Sequence, residues 1–342
     1  MTMNCPTKPR PVDGLCGLLW IWLACSLPGA VSAQEADAPL DESRILLVVT
    51  GAGGEPEYAS RFGKWADQWE ENARRAGVRF MRLGDVADDQ PPVRDRLQTA
   101  ISQLAEDPSV LEFWIVLIGH GTWDGQTARF NLAGPDVSSD ELASWLESRK
   151  RLTVVINCSS SSAPFATGLK GPGRMIVTAT SNGFEQNFSR FGQFMATAIG
   201  EPENDLDKDE QVSLLEAFVA AANQTAGFYE SESRLATEHA MIEDNGDGLG
   251  TPFQWFRGTR VVKQAEDDAQ ADGRRANRVF LLPSRQEKML TPGQRAERDR
   301  LESLVESLRR RKDEMPEDEY YRQLEPVLLD LARLYFPAAD SQ

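Results

Sequence analysis

The chain has 342 residues, with 37 Lys+Arg against 53 Asp+Glu, a formal net charge of -16 and 41% apolar residues. That composition supplies the apolar mass for a core and excludes collagen-like, disulfide-scaffold and wholly disordered chains. The acidic balance argues against a nucleic-acid partner, whose phosphates need basic surface, and the length allows one large or two moderate domains at roughly 100–200 residues each.

Lys8 and Arg10 precede the apolar run Gly14 to Leu27, followed by Pro28 and Val31-Ser32-Ala33. This is the order of a secretory signal peptide over 1–33, with cleavage expected after Ala33. The run falls short of the roughly 20 apolar residues that span a bilayer. Export to a periplasm or to the outside is the expectation, with membrane association only if the segment is retained or Cys25 is lipidated. Trp22, three residues before Cys25, fits lipidation poorly. Cleavage takes the net charge from -16 to -17 and removes Cys5, Cys16 and Cys25. Cys158 is then the single cysteine, with no intramolecular disulfide partner.

From Arg44 short Val/Ile-rich runs alternate with stretches of helical spacing, which predicts an α/β domain with a mostly parallel sheet flanked by helices, over about 44–260. Ile45–Thr50 reads as a buried strand, and Tyr58–Ala76 as a helix with Phe62, Trp65, Trp69 and Ala73 on one face. Val78–Leu83 is a strand, Val93–Ala105 a helix, and Leu111–Ile118 a strand ending at Gly119-His120-Gly121. Thr127–Leu132 reads as a short hairpin strand, and Ser139 as the cap of a helix through Lys150. Leu152–Asn157 is a strand ending at Cys158, and Arg174–Thr180 another. Helices over Ser189–Ile199 and Val212 to about Tyr229 follow. The polar stretch from Lys263 to Asn277 lies in a predicted linker, 263–288. A helical hairpin is expected over 289–342: Thr291-Pro292 opens its first helix, the second follows Met315-Pro316, and Pro326 predicts a kink. These helices are read as a packing or self-association element.

His120 and Cys158 thus fall at the carboxyl ends of two strands, the edge where sites form in open α/β sheets. A thiol attacks as thiolate and needs an imidazole to hold its proton and pass it to the leaving group. Only two imidazoles exist, His120 and His239; the first follows a strand between two glycines, and the second is read as structural. Ser159 to Ser162 are small residues expected to leave the sulfur accessible. Their backbone N–H groups, with that of Gly121, could stabilise an oxyanion. No G-x-S-x-G elbow accompanies the serines, which disfavours a serine hydrolase.

Ile118-Gly119-His120-Gly121-Thr122, Val155-Ile156-Asn157-Cys158-Ser159-Ser160 and Thr178-Ala179-Thr180-Ser181-Asn182, in that order and strand context, resemble cysteine peptidases of the caspase/legumain fold. The finer resemblance is to the legumain-like, bacterial-type exported branch. It implies peptide-bond hydrolysis of a peptide or protein substrate with Cys158 as nucleophile, His120 as acid/base and the backbone N–H groups of Gly121 and Cys158 as oxyanion donors. It also implies a primary pocket lined by Arg61 and Ser181. Ile156-Asn157 stands where that branch carries Glu-Ala. Two alternatives stay open: a catalytically silent binding or scaffold protein, and a transpeptidase or ligase on the same fold.

Asp205, Asp207, Asp209, Val212, Ser213 and Glu216 fit positions 1, 3, 5, 8, 9 and 12 of an EF-hand loop, with Glu210 in the place of its turn glycine. The chemistry requires no cofactor; a structural Ca²⁺ held by Asp205, Asp207, Asp209 and Glu216 is the metal expectation. The competing reading makes this loop and Glu243–Gly248 solvated acidic turns, with Ser213 to Glu216 capping the next helix.

Overall fold

This computed structural model describes residues 40–84, 90–263 and 270–335. The segment 1–33, read from the sequence as a signal peptide, lies outside the described residues.

In chain order the principal elements are β1 (Asp41–Thr50), α1 (Pro56–Ala76), β2 (Val78–Leu83), α2 (Val93–Glu106), β3 (Glu112–Ile118), β4 (Gly121–Trp123), β5 (Ala128–Phe130), β6 (Val137–Ser138), α3 (Ser139–Trp145), β7 (Leu152–Asn157), α4 (Pro164–Leu169), β8 (Arg174–Thr178), α5 (Phe191–Ala198), α6 (Leu214–Ser231), β9 (Met241–Glu243), β10 (Thr251–Pro252), β11 (Phe256–Arg257), β12 (Arg260–Val261), α7 (Arg285–Met289), α8 (Pro292–Arg310) and α9 (Glu317–Tyr335). The main sheet has the order β10-β9-β8-β7-β3-β1-β2. β2, β1, β3, β7 and β8 are mutually parallel, whereas β9 runs antiparallel to β8 and β10 antiparallel to β9. The chain leaves β1 toward β2 on one side and continues through β3 on the other, so the topological switch falls between β1 and β3. Crevices at such a point open at the strands' carboxyl ends.

Alternation along the strands builds two cores. Leu46, Val48, Trp114, Val116, Val154 and Ile156 face α1, α5 and α6, while Ile45, Leu47, Val49, Ile115 and Val155 face α2, α3 and α4. A strand covered on both faces needs apolar residues in succession, which is why these runs read so clearly. Gly77 ends α1 in the left-handed conformation at φ 68, donating its N–H to the carbonyls of Ala73 and Arg74.

Several boundaries differ from the sequence reading. The α3 cap is Ser138, not Ser139: its hydroxyl accepts from the Glu141 N–H while Glu141 returns a bond to the Ser138 N–H, and the helix stops at Trp145. β8 ends at Thr178, and α4 and the short β9 to β12 were not anticipated. The stretch read as a linker is seated from its described part onward. Asp272, Ala276 and Leu281 are buried, because Asp272 accepts the N–H groups of Asp244 and Asn245 and the Thr251 hydroxyl. The C-terminal helical hairpin forms: a Thr291/Gln294 capping box starts α8, and Pro326 sits inside α9 without ending it. Leu301, Val305 and Leu308 of α8 are buried, whereas Leu328 and Leu329 of α9 stand exposed. Among the described residues no helix is long and apolar enough to cross a membrane.

Candidate functional site

β3 and β7 are adjacent and parallel, with Leu117 opposite Asn157, so His120 and Cys158 leave neighbouring strand tips. Cys158 continues the alternation of Val154 and Ile156 and joins the core beneath α1, α5 and α6. His120 lies toward the same helices, edge-on to Tyr58 and Phe62 of α1 at ring-centroid distances of 5.2 and 5.3 Å. Phe62 in turn meets Trp65 at 5.6 Å. A Cβ built at Gly192 would lie 3.1 Å from the Trp65 ring and 2.8 Å from the Cβ of Cys158. His120 and Cys158 therefore share one face of the sheet, beside the aromatic side chains of α1.

The sulfur itself is covered, contrary to the accessible thiol expected from the small residues after it. Cys158 is 1% exposed, in the core with Trp65 and Phe191, and its Cβ lies against Gly192 of α5. Burial pushes its thiol up, and the nearby Glu238 carboxylate pushes it further. No hydrogen bond joins it to His120 among the described residues. Ser159 to Ser162 are buried as well. Ser159 donates through both its N–H and hydroxyl to Asn157 Oδ1 (3.0 and 2.7 Å), and Ser162 bonds Thr180. Ser161 holds a left-handed φ of 53 with its hydroxyl unpartnered, a backbone strain of the kind found near functional sites.

The backbone donors are engaged too. The Cys158 N–H stays in the strand ladder with Leu117 O at 2.9 Å, and the Gly121 N–H donates to Ser160 Oγ at 3.1 Å. Neither expected oxyanion donor is free in this conformation, because the serine turn packs directly on Gly121; a Cβ there would collide with the Ser160 carbonyl.

Arg61 and Ser181, the expected pocket residues, are each engaged by a neighbouring carboxylate. Arg61 pairs with Glu57 at 2.6 Å and lies over the Phe188 ring. Ser181 donates to Glu185 through its N–H and hydroxyl, both at 2.9 Å. Glu185 Oε1 also holds His239 Nδ1 at 2.6 Å, and Oε2 accepts the His239 N–H. His239 is thus the paired, half-exposed imidazole, and His120 the one enclosed by rings.

Three residues escaped the sequence reading. Phe188 stacks on Tyr58 at 4.6 Å and reaches His120 at 6.0 Å, and Glu185 ties the loop after β8 to His239. Glu238 is buried, accepting from Ser189 Oγ (2.6 Å), the N–H groups of Arg190 and Phe191 (2.8 and 3.1 Å) and the Tyr229 hydroxyl (3.0 Å). Only the clustering of Phe and Arg between Phe184 and Phe191 signalled that loop in the sequence.

Asp205, Asp207 and Asp209 offer carboxylate oxygens within 4.8 Å of one another, and Glu210 takes the left-handed turn, φ 69, expected of a glycine there. Glu216 does not join them as a ligand. Its Oε1 accepts from the Leu206 and Asp207 N–H groups and its Oε2 from the Ser213 N–H and hydroxyl, so it is the capping box of α6. The Glu243–Gly248 turn is not solvated at its start: Glu243 and Asp244 are buried.

No family model matches the sequence, and no curated protein matches it. The chain is similar to the solved structure of the Drosophila initiator caspase Dronc at 12% identity, with a TM-score of 0.39 and coverage of 71% of this chain and 96% of that one. It is similar to a Geobacter sulfurreducens protein at 11% identity, TM-score 0.38, covering 61% and 97%. For caspase-1 from Spodoptera frugiperda the figures are 11%, 0.37, 61% and 91%. Every one of these TM-scores lies below 0.5.

Proposed function

We propose that the chain is a cysteine peptidase of the caspase/legumain type, described here in a closed resting conformation. The observation that carries this reading is the convergence of His120 and Cys158 from adjacent strand tips onto one face of the sheet, at the carboxyl edge beside the β1/β3 switch. In the working state His120 takes the thiol proton, the Cys158 sulfur adds to the scissile carbonyl carbon, and the imidazolium returns the proton to the leaving amine. Water then hydrolyses the thioester. Reaching that state requires the α1/α5 cover to lift from the sulfur and the Gly121 N–H to leave Ser160. The legumain-like branch and an exported location belong to the same proposal; a single buried thiol suits an oxidising compartment. Profiling the purified chain with a peptide library, beside Cys158→Ala, tests it. Cleavage that vanishes in the variant supports the reading, and equal cleavage by both proteins refutes it.

The burial of Cys158 and the engagement of both backbone donors favour a second reading, a peptidase-like fold that binds without turnover. Absence of cleavage and of thiol labelling throughout selects it. A transpeptidase or ligase differs from the hydrolase only in that an amine outcompetes water at the thioester, and an added amino-acid amide captures the acyl group in that case. The partner proposal is self-association through α8 and α9, where Leu304, Tyr321, Leu328 and Leu329 are exposed. Sedimentation of the chain beside Leu328→Glu tests it.

A further inference from the structure

At the opposite, amino end of the parallel strands the C-terminal segment roofs a cavity of about 600 Å³, within the range of roughly 300–1,000 Å³ typical of small-molecule sites. Its apolar surface comes from Leu111, Leu152, Met175, Val279, Phe280 and Pro283. The roof is fixed in place. Arg44 pairs with Glu112 and donates to the carbonyls of Phe280 and Leu281 at 2.7 and 3.1 Å, and the Ser284 N–H donates to Gln211 Oε1 at 2.9 Å. The buried Arg298 is held by Glu287 and by Asp299.

The charge of this lining runs against that of the whole protein. Six cations, from Arg44 to Arg298, face four carboxylates, in a chain of net charge -16. Most of the cations are paired. Two form no ion pair among the described residues: the Arg275 guanidinium donates to the main-chain carbonyls of Asp244 and Arg174, its main-chain N–H going to Asp244 Oδ2 at 2.7 Å, and Lys288 has no carboxylate within ion-pair distance. The apolar walls and the two uncompensated cations call for a ligand with a hydrocarbon body and one anionic end. The geometry points to a binding site for an aliphatic monocarboxylate of the fatty-acid class, built by the C-terminal segment and separate from the Cys158 edge. The inference does not depend on whether Cys158 turns over.

Calorimetric titration of the full chain with decanoate below its micelle concentration tests the site, with decyltrimethylammonium and acetate as controls. Decanoate is expected to bind at one per chain and both controls at least about tenfold more weakly. Lys288→Glu and Leu111→Asp place a negative charge at exposed positions of the lining, where the fold tolerates it. Each is expected to weaken decanoate about tenfold while leaving the melting midpoint of the free protein unchanged. Binding of decyltrimethylammonium as tight as that of decanoate, unchanged affinity in both variants, or no saturable heat with decanoate would overturn the assignment.

Discussion

Glu238 and Cys158 meet at the first turn of α5. Glu238 accepts the Phe191 N–H at 3.1 Å, and the next residue, Gly192, is the surface on which the Cys158 side chain rests. A helix N-terminus ordinarily favours a thiolate. This one is capped by a buried carboxylate, whose charge adds to burial in keeping the proton on sulfur.

Glu238→Gln removes that charge while retaining an oxygen for the α5 N–H groups. The thiol then loses protons more readily, and alkylation of Cys158 by iodoacetamide at fixed pH is expected to accelerate about three- to tenfold, one pKa unit being tenfold in thiolate. Burial is the larger cause and persists, so the rate stays below that of a free thiol. An unchanged rate would show that the Glu238 charge does not hold the proton on Cys158.

Gly121→Ala drives a methyl group into the Ser160 carbonyl and hydroxyl-bearing turn. Overpacking of this kind costs about 1–3 kcal/mol, read as a lowered urea midpoint with an unchanged m-value. Full stability would mean that the serine turn is not seated on Gly121.

Burial pushes the carboxyl groups of Glu216, Glu238, Glu243 and Asp272 up from their ordinary range. A raised carboxyl binds protons more tightly in the folded than in the unfolded chain, so stability is greatest below the unfolded pKa and falls as pH rises through the folded one. The melting midpoint is therefore expected to decline from about pH 5 upward. Asp272→Asn keeps an acceptor for Asp244 and Asn245 and should flatten the decline; an identical slope in the variant would exclude Asp272 as a source.

With Glu216 committed to the α6 capping box, the 205–216 loop brings three carboxylates together rather than a full EF-hand set. Its calcium affinity is expected to be weaker than the roughly 10⁻⁷–10⁻⁵ M of sensor loops. About 10⁻⁴ M Ca²⁺ should leave the melting midpoint in place. A rise of several degrees that Asp207→Asn abolishes would show that the cation recruits the loop after all.

The strands were legible because β1, β3 and β7 are buried on both faces and read as unbroken apolar runs. His120 was legible because two glycines bracket it at the end of such a run. The cover over Cys158 was not. A cysteine followed by four serines reads equally well as an open loop or as a compact turn, and Trp65 and Gly192, which decide between them, lie far away in sequence. Ser138 was within reach, since Glu141 stands three residues on and completes a capping box; adjacent Ser139 drew the boundary instead. Asp272 sat in an Ala/Gly-rich charged stretch that looks like a linker, and only its contacts with the 243–251 turn reveal its packing.

In the proposed mechanism Cys158 and His120 act on one carbonyl. Mass-spectrometric labelling by a peptidyl chloromethylketone measures it most directly. Slow modification confined to Cys158 is expected, lost in His120→Ala and retained in His239→Ala. Labelling that persists in His120→Ala at the wild-type rate, or none at any pH between about 5 and 9, would contradict it.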